Sequence, residues 1–217
     1  KKGFDHYFEL YRGTLPSPNM RWCTKKMKIE PIEEWVGQDE VISYVAIRAD
    51  ESSRKGYVST KPNIQARFPF IEDGIDHAGV LSILENAGIG LPDYYSWRTR
   101  SGCYFCFYQR KSEWVGLAEK HPDLFEKAVA IENKVRLDAG EEGSASYDQF
   151  AMKERQYTWS GGESLNDLIA RKDEIMERHL LAQERAKANR KNLPIFEILG
   201  AAFDEEDDSQ QCSVCAL

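Results

Sequence analysis

The stretch VISYVAIRAD, residues 41–50, decides the fold class of this chain. It is rich in β-branched residues, nearly continuous in apolar residues and bounded by charge, which is typical of a strand buried on both faces of an α/β sheet. A second candidate is ARFPFI at 66–71, an edge strand because Pro69 has no backbone donor. Together the two stretches predict an α/β fold.

Helices outnumber strands heavily in the rest of the chain. Aromatic residues recur at helical spacing in residues 4–11, and the later helices begin at a proline or at a side chain suited to capping. The predicted helix starts are Pro31, Asp76, Ser112, Pro122 and Ser164. One firm strand and one weak strand cannot form a sheet with both faces covered. Either further strands escape the pattern, or the chain lacks part of its own domain.

Composition divides the chain into four segments. An α/β domain with a CxxC motif occupies residues 1–138, and a Gly- and Ser-rich loop follows at 139–163. A helical extension covers 164–203, and an acidic tail that contains cysteines covers 204–217. The first residues, KKGFDHYFEL, include no initiator Met, so we expect a fragment or a trimmed product rather than a native start.

Charge and hydropathy argue against a membrane span and leave the partner open. The formal net charge is −7, but DEEDD at 204–208 supplies −5 of it, so bulk charge neither favours nor excludes nucleic acid. No stretch approaches the ~20 apolar residues of a membrane helix, and no signal peptide is visible. Five cysteines, an odd number that includes the CxxC pair Cys103 and Cys106, favour a metal or redox site over a disulfide framework. We therefore expect a cytoplasmic protein.

The stretch RTRSGCYFCFYQRK, residues 98–111, places Cys103 and Cys106 among aromatic and basic residues. A CxxC turn points both sulfurs one way, so it can supply two adjacent ligands of a tetrahedral metal ion or of a cluster. Two further ligands are needed, and three other cysteines exist. The alternative is a pair of buried thiols packed among the neighbouring aromatic rings.

Two further segments are candidates for anion binding. RWCTKKMKIEP, residues 21–31, carries four cations beside Cys23, which would attract phosphate or sulfate; the alternative is a solvated basic face. AIRADESSRKG, residues 46–56, follows the predicted strand directly, where ligands bind in open α/β sheets. Its two arginines alternate with carboxylates, so the alternative there is a salt-bridge cluster at the strand end.

These motifs, in this order, resemble the phosphoadenosine phosphosulfate reductase family, which belongs to the adenine-nucleotide α-hydrolase (PP-loop ATPase) superfamily. The resemblance is closest to the bacterial and phage branch that includes DNA phosphorothioation sulfur-transfer proteins. It covers about residues 15–135 and rests on RWCTKKMKIEPIEEWV, AIRADESSR, PFIEDGIDHAGVLSILENAGIGLPDYY and SGCYFCFYQRKSEW. It implies a partial Rossmann-like sheet with a helix-rich C-terminal part.

The resemblance also implies a metal centre. In the cluster-containing reductases, a Cys-Cys pair and a later CxxC bind a [4Fe–4S] cluster, and these roles fall on Cys23, Cys103 and Cys106, with Trp22 at the first position of the pair. We expect a cysteine of the tail, Cys215, as the fourth ligand, and zinc is the alternative metal. The nucleophilic cysteine that these reductases carry in a C-terminal tail corresponds to Cys212, although the family's Glu-Cys-Gly-x-His motif is absent.

For the substrate, the family's R-x-x-x-S-x-x-R pattern is approximated by Arg48, Ser52 and Arg54, with the last spacing one residue short. The residues expected to face an anionic adenine nucleotide are Arg21, Lys25, Lys28, Arg48, Asp50, Glu51, Ser52 and Arg54. The superfamily's phosphate loop, Ser-Gly-Gly-x-Asp-Ser, does not occur in these 217 residues. We therefore expect the nucleotide-binding half to be a missing N-terminal part or a partner chain.

The resemblance thus predicts a sulfur-chemistry enzyme or subunit, either an oxidoreductase or a sulfur transferase, that cleaves or activates an adenylated nucleotide. One alternative is a non-catalytic, metal-stabilised scaffold of a DNA-modification or defence complex, which the missing phosphate loop favours. The other is a sulfur transferase acting on nucleic acid, in which the basic segment 21–28 meets backbone phosphate.

Overall fold

The structure is a computed structural model of the chain, and it describes residues 2–51, 54, 56–138 and 158–189. The chain divides into two units. Of the described residues, the first unit comprises Gly3–Met20 together with the chain from Tyr94 onward, and the second unit comprises Arg21–Asp93.

The described residues of the first unit are mainly helical, and those of the second unit form helices, strands and irregular segments. The helices are α1 (Phe4–Leu10), α2 (Trp22–Thr24), α3 (Glu30–Val36), α4 (Pro69–Glu72), α5 (His77–Asn86), α6 (Lys111–Lys120), α7 (Pro122–Asp138), α8 (Leu165–Ala170) and α9 (Lys172–Asn189), and the strands are β1 (Val41–Tyr44) and β2 (Ile64–Arg67). A π-helical turn, Lys25–Ile29, joins α2 to α3. Within the described ranges, no helix combines the length and the apolar character that a membrane span requires.

The two strands of the second unit lie side by side and run parallel. Val41 pairs with Ile64 at one end of the ladder, and Tyr44 pairs with Arg67 at the other. The described part of the chain is therefore mixed α/β, with a small parallel sheet and many helices. This confirms the predicted fold class at that coarse level.

The strand predicted over residues 41–50 is shorter and less buried than expected. β1 ends at Tyr44, and its burial alternates, with Ile42 52% and Tyr44 70% exposed. The prediction of burial on both faces was wrong for β1. The buried residues Val45 and Ile47 lie beyond it, where the Ile47 N–H donates to the Val45 carbonyl at 3.0 Å and the backbone leaves the ladder.

The second predicted strand is displaced toward the N-terminus. β2 ends before Pro69, which instead begins α4. Proline has no N–H to donate to a ladder, but its fixed φ suits the first turn of a helix. Arg67 and Glu72 form a two-pronged ion pair across this junction, with N–O distances of 2.9 and 2.5 Å.

The helical run that contains Pro31 begins earlier than expected. α2, the π turn and α3 follow one another without a break from Trp22 to Val36, so Pro31 lies inside the run rather than at its start. Proline cannot donate to the carbonyl four residues before it, and its ring crowds that carbonyl. The π-helical turn lies just before Pro31, so the irregular hydrogen bonding of this helical run occurs next to the proline.

Other helix starts agree with the sequence analysis. The Asp76 side chain accepts from the Gly79 N–H at 2.9 Å and caps α5, while the Ser164 side chain accepts from the Asp167 N–H at 3.2 Å and caps α8. α7 begins at Pro122 as predicted. The helix predicted from Ser164 is interrupted at Arg171, which separates α8 from α9.

The core of the first unit forms where α6 packs against α7, α8 and α9. Trp114 of α6 is fully buried, and Trp159 lies beside it with ring centroids 6.5 Å apart. The buried carboxylate of Glu132 accepts from the backbone N–H groups of Trp159 and Leu165, at 3.0 and 2.8 Å. Phe105 of the CxxC segment packs against Trp159 at 6.0 Å, so the cysteine-bearing loop is attached to this core.

Candidate functional site

In the first unit, the CxxC motif forms a tight turn within the CxxC loop, residues 98–110. The Cys106 N–H donates to the Cys103 carbonyl at 3.1 Å, and the Cys106 carbonyl accepts from the Gln109 N–H at 2.9 Å. Both cysteines are free thiols; Cys103 is exposed, and Cys106 is half-buried, which raises the pKa of its thiol. Because Phe105 is buried while Cys103 is exposed, the turn sends the ring into the core and leaves one sulfur accessible, unlike a pair of core thiols.

A buried guanidinium supports this turn. Arg98 is 8% exposed, and its Nη1 and Nη2 donate to the carbonyls of Gly102 and Cys103 at 3.1 and 3.2 Å. A Cβ atom at position 102 would lie 2.9 Å from Arg98 Nη2, so a larger residue there would require the guanidinium to shift. Burial lowers the pKa of Arg98, whereas the charges of Glu113, Cys106 and Cys103 act in the opposite direction.

A buried carboxylate joins the two ends of the CxxC loop. Glu113 of α6 is 2% exposed and accepts from the Thr99 N–H at 2.9 Å and from the Thr99 hydroxyl at 2.8 Å. Its other oxygen accepts from the Arg110 N–H at 3.2 Å. Within the loop, Arg100 Nη2 donates to the Tyr108 carbonyl at 2.6 Å. The turn that carries the thiols is therefore held at its base by charged groups.

In the second unit, the helical run from α2 to α3 borders a groove of about 450 Å³ that is lined by two cations and two carboxylates. The groove brings together two of the predicted substrate residues, Arg21 and Lys25, but not the third cation, Lys28. Lys25 is exposed and forms no ion pair with any residue that the structure describes. The groove is lined by Arg21, Thr24, Lys25, Ile29, Glu30, Glu33, Tyr57 and Thr60.

One carboxylate of the groove organises its wall. Glu33 accepts hydrogen bonds from the hydroxyls of Ser59, at 2.6 Å, and Tyr57, and Lys61 Nζ lies 3.8 Å from its other oxygen. The Ser59 and Tyr57 hydroxyls lower the pKa of Glu33, and burial raises the pKa of Tyr57. Sequence reasoning missed this network, because Tyr57 and Ser59 lie 24 and 26 residues after Glu33 and no motif links the two segments.

The strand-end cluster, residues 48–54, contains arginines that are already paired. Arg48 Nε and Nη2 donate to the two oxygens of Asp50 at 2.9 and 3.1 Å, and Arg54 Nη1 lies 2.5 Å from a Glu51 oxygen. The other Glu51 oxygen accepts from the Arg48 N–H at 3.1 Å. This arrangement matches the salt-bridge alternative, and it also fixes both guanidinium groups beyond the end of β1. Ser52 lies outside the described residues.

The predicted metal ligands are divided between the units. Cys23 lies on α2 of the second unit, while Cys103 and Cys106 belong to the first; Cys212 and Cys215 lie outside the described residues. In the described ranges, no group of three or more His, Cys, Asp or Glu side chains is arranged to hold a metal ion. A CxxC spacing can in general supply two ligands of a tetrahedral thiolate site, and the whole ligand set stays a prediction.

Comparison with known proteins gives one distant likeness. An uncharacterized protein of Methanocaldococcus jannaschii is 25% identical over an alignment of 157 residues, and the alignment covers 64% of this chain and 36% of that protein. The chain thus spans about a third of the length of this curated relative. No protein-family model matches the chain, and no solved structure matches it.

Proposed function

We propose that the chain is part of a sulfur-chemistry enzyme similar to phosphoadenosine phosphosulfate reductase, an oxidoreductase or sulfur transferase that holds a [4Fe–4S] cluster and acts on an anionic adenine nucleotide. The observation that carries this proposal is the CxxC turn, which has free thiols and whose backbone carbonyls accept hydrogen bonds from a buried guanidinium. Iron bound by thiolates is an anionic group, and a nearby buried cation suits it.

Cys103 and Cys106 would supply two of the cluster ligands, and Cys23 and Cys215 would complete the set. When bound, the cluster would supply a structural and electrostatic centre, or an open iron that holds sulfur. Cys212 is proposed as the thiol that exchanges sulfur with the substrate. A cytoplasmic location is part of the proposal, because an odd number of cysteines that includes a CxxC pair favours a metal or redox site over a disulfide framework.

The two cations of the groove beside α2 and α3 support the substrate part of the proposal. Arg21 and Lys25 line it together and would bind phosphate or sulfate, and Lys28 on the same π turn would add to the local positive charge. Arg48 and Arg54, oriented by their carboxylate partners, would bind the remaining phosphate at the strand end.

We also propose that the parallel strand pair belongs to a larger Rossmann-like sheet. Parallel sheets are normally covered on both faces, whereas Ile42 and Tyr44 of β1 are largely exposed in this structure. The further strands and the phosphate loop would come from a missing N-terminal part or from a partner chain.

Anaerobic purification with metal analysis tests the proposal. Iron and acid-labile sulfide near four each per chain, with a brown colour, are expected because that is the composition of one such cluster. Isothermal titration with an adenine nucleotide should show binding that Lys25→Ala weakens, while the exposed Lys172→Ala in α9 serves as the control. Absence of both iron and nucleotide binding would contradict the proposal.

A metal-stabilised scaffold without chemistry of its own is the second candidate, and the strand-end cluster favours it. Each arginine of that cluster already has a carboxylate partner, so the cluster is complete without a substrate. One zinc per chain, no iron and no nucleotide binding would support the scaffold. Arg48→Ala would then leave every ligand-binding measurement unchanged.

A further inference from the structure

We infer that the CxxC turn is a centre for thiol–disulfide exchange, in which Cys103 reacts with the disulfide bond of a small molecule and Cys106 completes the exchange. This activity goes beyond the proposed function and does not depend on a metal, because it uses only the two cysteine side chains of the turn. It is carried by the geometry of the turn, by the contacts that hold it and by the difference in exposure between the two thiols.

The first step is that the turn brings the two cysteines within reach of each other. Cys103 and Cys106 are the first and fourth residues of one hydrogen-bonded turn, in which the Cys106 N–H donates to the Cys103 carbonyl at 3.1 Å. In such a turn the Cα atoms of the first and fourth residues lie within about 7 Å of each other. A disulfide joins Cα atoms that are about 4.4–6.8 Å apart, so this backbone suits a bond between the two sulfurs.

The second step is that the fold holds the turn in this conformation while both thiols are free. Arg98 Nη2 donates to the Cys103 carbonyl at 3.2 Å, and Gln109 Nε2 donates to the Tyr104 carbonyl at 2.9 Å. Phe105, in the middle of the turn, is buried in the core of the first unit. A bond that closes within an ordered turn loses little further chain entropy, so each thiol meets the other at a high effective concentration.

The third step is that the two thiols differ in accessibility. Both are free, but Cys103 is exposed whereas Cys106 is half-buried. The rate of thiol–disulfide exchange depends on access to the sulfur that reacts. An external disulfide therefore reacts with Cys103 first, and the shielded Cys106 reacts afterwards, within the protein. This difference assigns the entering role to one thiol and the resolving role to the other.

The reaction balances without a cofactor. The Cys103 thiolate attacks one sulfur of the substrate disulfide, which forms a mixed disulfide and releases half of the substrate as a thiolate that takes up the proton lost by Cys103. The Cys106 thiolate then attacks the Cys103 sulfur, which forms the Cys103–Cys106 disulfide and releases the other half in the same way. The substrate gains two electrons and two protons, and the dithiol loses them. An excess of small-molecule thiol restores the dithiol by the reverse steps.

The test uses the full chain, reduced and treated with a chelator under anaerobic conditions, and then mixed with oxidised glutathione. Mass spectrometry of alkylated peptides follows the products. We expect the wild type to form the Cys103–Cys106 disulfide with little mixed disulfide, whereas Cys106→Ser accumulates glutathione on Cys103. Cys103→Ser should take up glutathione on Cys106 at least about tenfold more slowly, because Cys106 is the less accessible thiol.

The wild-type chain in concentrated urea is the matched control, because it has the same thiols without the folded turn. We expect it to carry more mixed disulfide than the folded chain does, since ring closure then loses its advantage. Equal product ratios in the folded and unfolded chain would overturn the inference, as would equal rates of glutathione uptake by the two single variants. A wild-type product that joins Cys103 to a cysteine outside the turn would also overturn it.

Discussion

Two charged side chains, Arg98 and Glu113, hold the CxxC loop from within the protein. Neither is recognisable as special in the sequence, because RTRSGCYFCFYQRKSEW contains several other charged residues. Their roles follow from burial: a charged group that has lost water must satisfy its hydrogen bonds within the fold. The turn between Cys103 and Cys106 could be predicted from their spacing, whereas the residues that hold this turn in place could not.

Replacing Glu113 tests its role in the loop. Glu113→Ala leaves the Thr99 and Arg110 N–H groups without their acceptor, so we expect the free energy of unfolding to fall by about 3 kcal/mol. Urea denaturation followed by circular dichroism measures the change. Glu119→Ala, on the exposed side of the same helix, should change the free energy of unfolding by less than about 0.5 kcal/mol. A loss of similar size in both variants would contradict the role.

Glu33 should make the stability of the second unit depend on pH. Its pKa is lowered from the ordinary value of 4.5 by the hydroxyls of Ser59 and Tyr57, so its ionised form stabilises the fold above pH 4.5. That contribution is lost as pH falls from 4.5 through the folded pKa. Wild type and Ser59→Ala should therefore differ most in urea midpoint at neutral pH and converge in acid. A constant difference across this range would argue against the coupling.

At the level of elements, hydrophobic patterns located both strands but not their ends. The apolar run after Ser43 continues through Ile47, and the sequence contains no signal that β1 ends at Tyr44. The two prolines had different effects. Pro69 follows the end of β2, as its lack of an N–H requires, whereas Pro31 lies inside a longer helical run that contains a π turn. Local capping chemistry predicted helix starts better than apolar spacing predicted strand ends.

The cap of α5 provides a prediction for a single element. Asp76→Ala removes the acceptor of the Gly79 N–H, and we expect the free energy of unfolding to fall by about 1 kcal/mol. Asp76→Asn, which keeps an acceptor oxygen, should lose much less. Thermal and urea denaturation of the three proteins would measure the ranking, and an Asn variant as unstable as the Ala variant would refute the capping role.

The close packing around Gly56 provides a second prediction at the level of elements. A Cβ at Gly56 would lie 2.9 Å from atoms of Val45, Ile47 and Phe68, closer than ordinary contacts. Gly56→Ala should therefore destabilise the second unit by roughly 1–2 kcal/mol through overpacking. Gly161→Ala, where a Cβ meets nothing within 4 Å, is the control and should be close to neutral in the same denaturation assay.

For the whole molecule, the proposed metal centre links residues that the sequence separates widely. Cys23 belongs to the second unit and the CxxC pair to the first. A ligand set shared by these cysteines stays a prediction that rests on the family resemblance, because thiol spacing alone fixes no further partner for the pair Cys103 and Cys106.

Replacing the exposed Cys103 tests the proposed metal centre. Cys103→Ser should abolish metal binding and remove the rise in thermal stability that metal gives the wild type, while leaving the metal-free protein almost unchanged, since this thiol is exposed. Differential scanning calorimetry with and without metal measures both effects. A Cys103→Ser variant that still gains stability from metal would exclude this thiol as a ligand.

The exposed side of β1 has a consequence for handling the protein. Ile42 and Tyr44 are exposed apolar residues of β1. Within the described residues, β1 pairs with β2 alone. Such a strand is a template on which a neighbouring molecule can add its own. Concentrated solutions of the isolated chain should therefore form oligomers and precipitate. A charged substitution such as Ile42→Lys should improve solubility without disturbing the first unit, which contains Cys103 and Cys106.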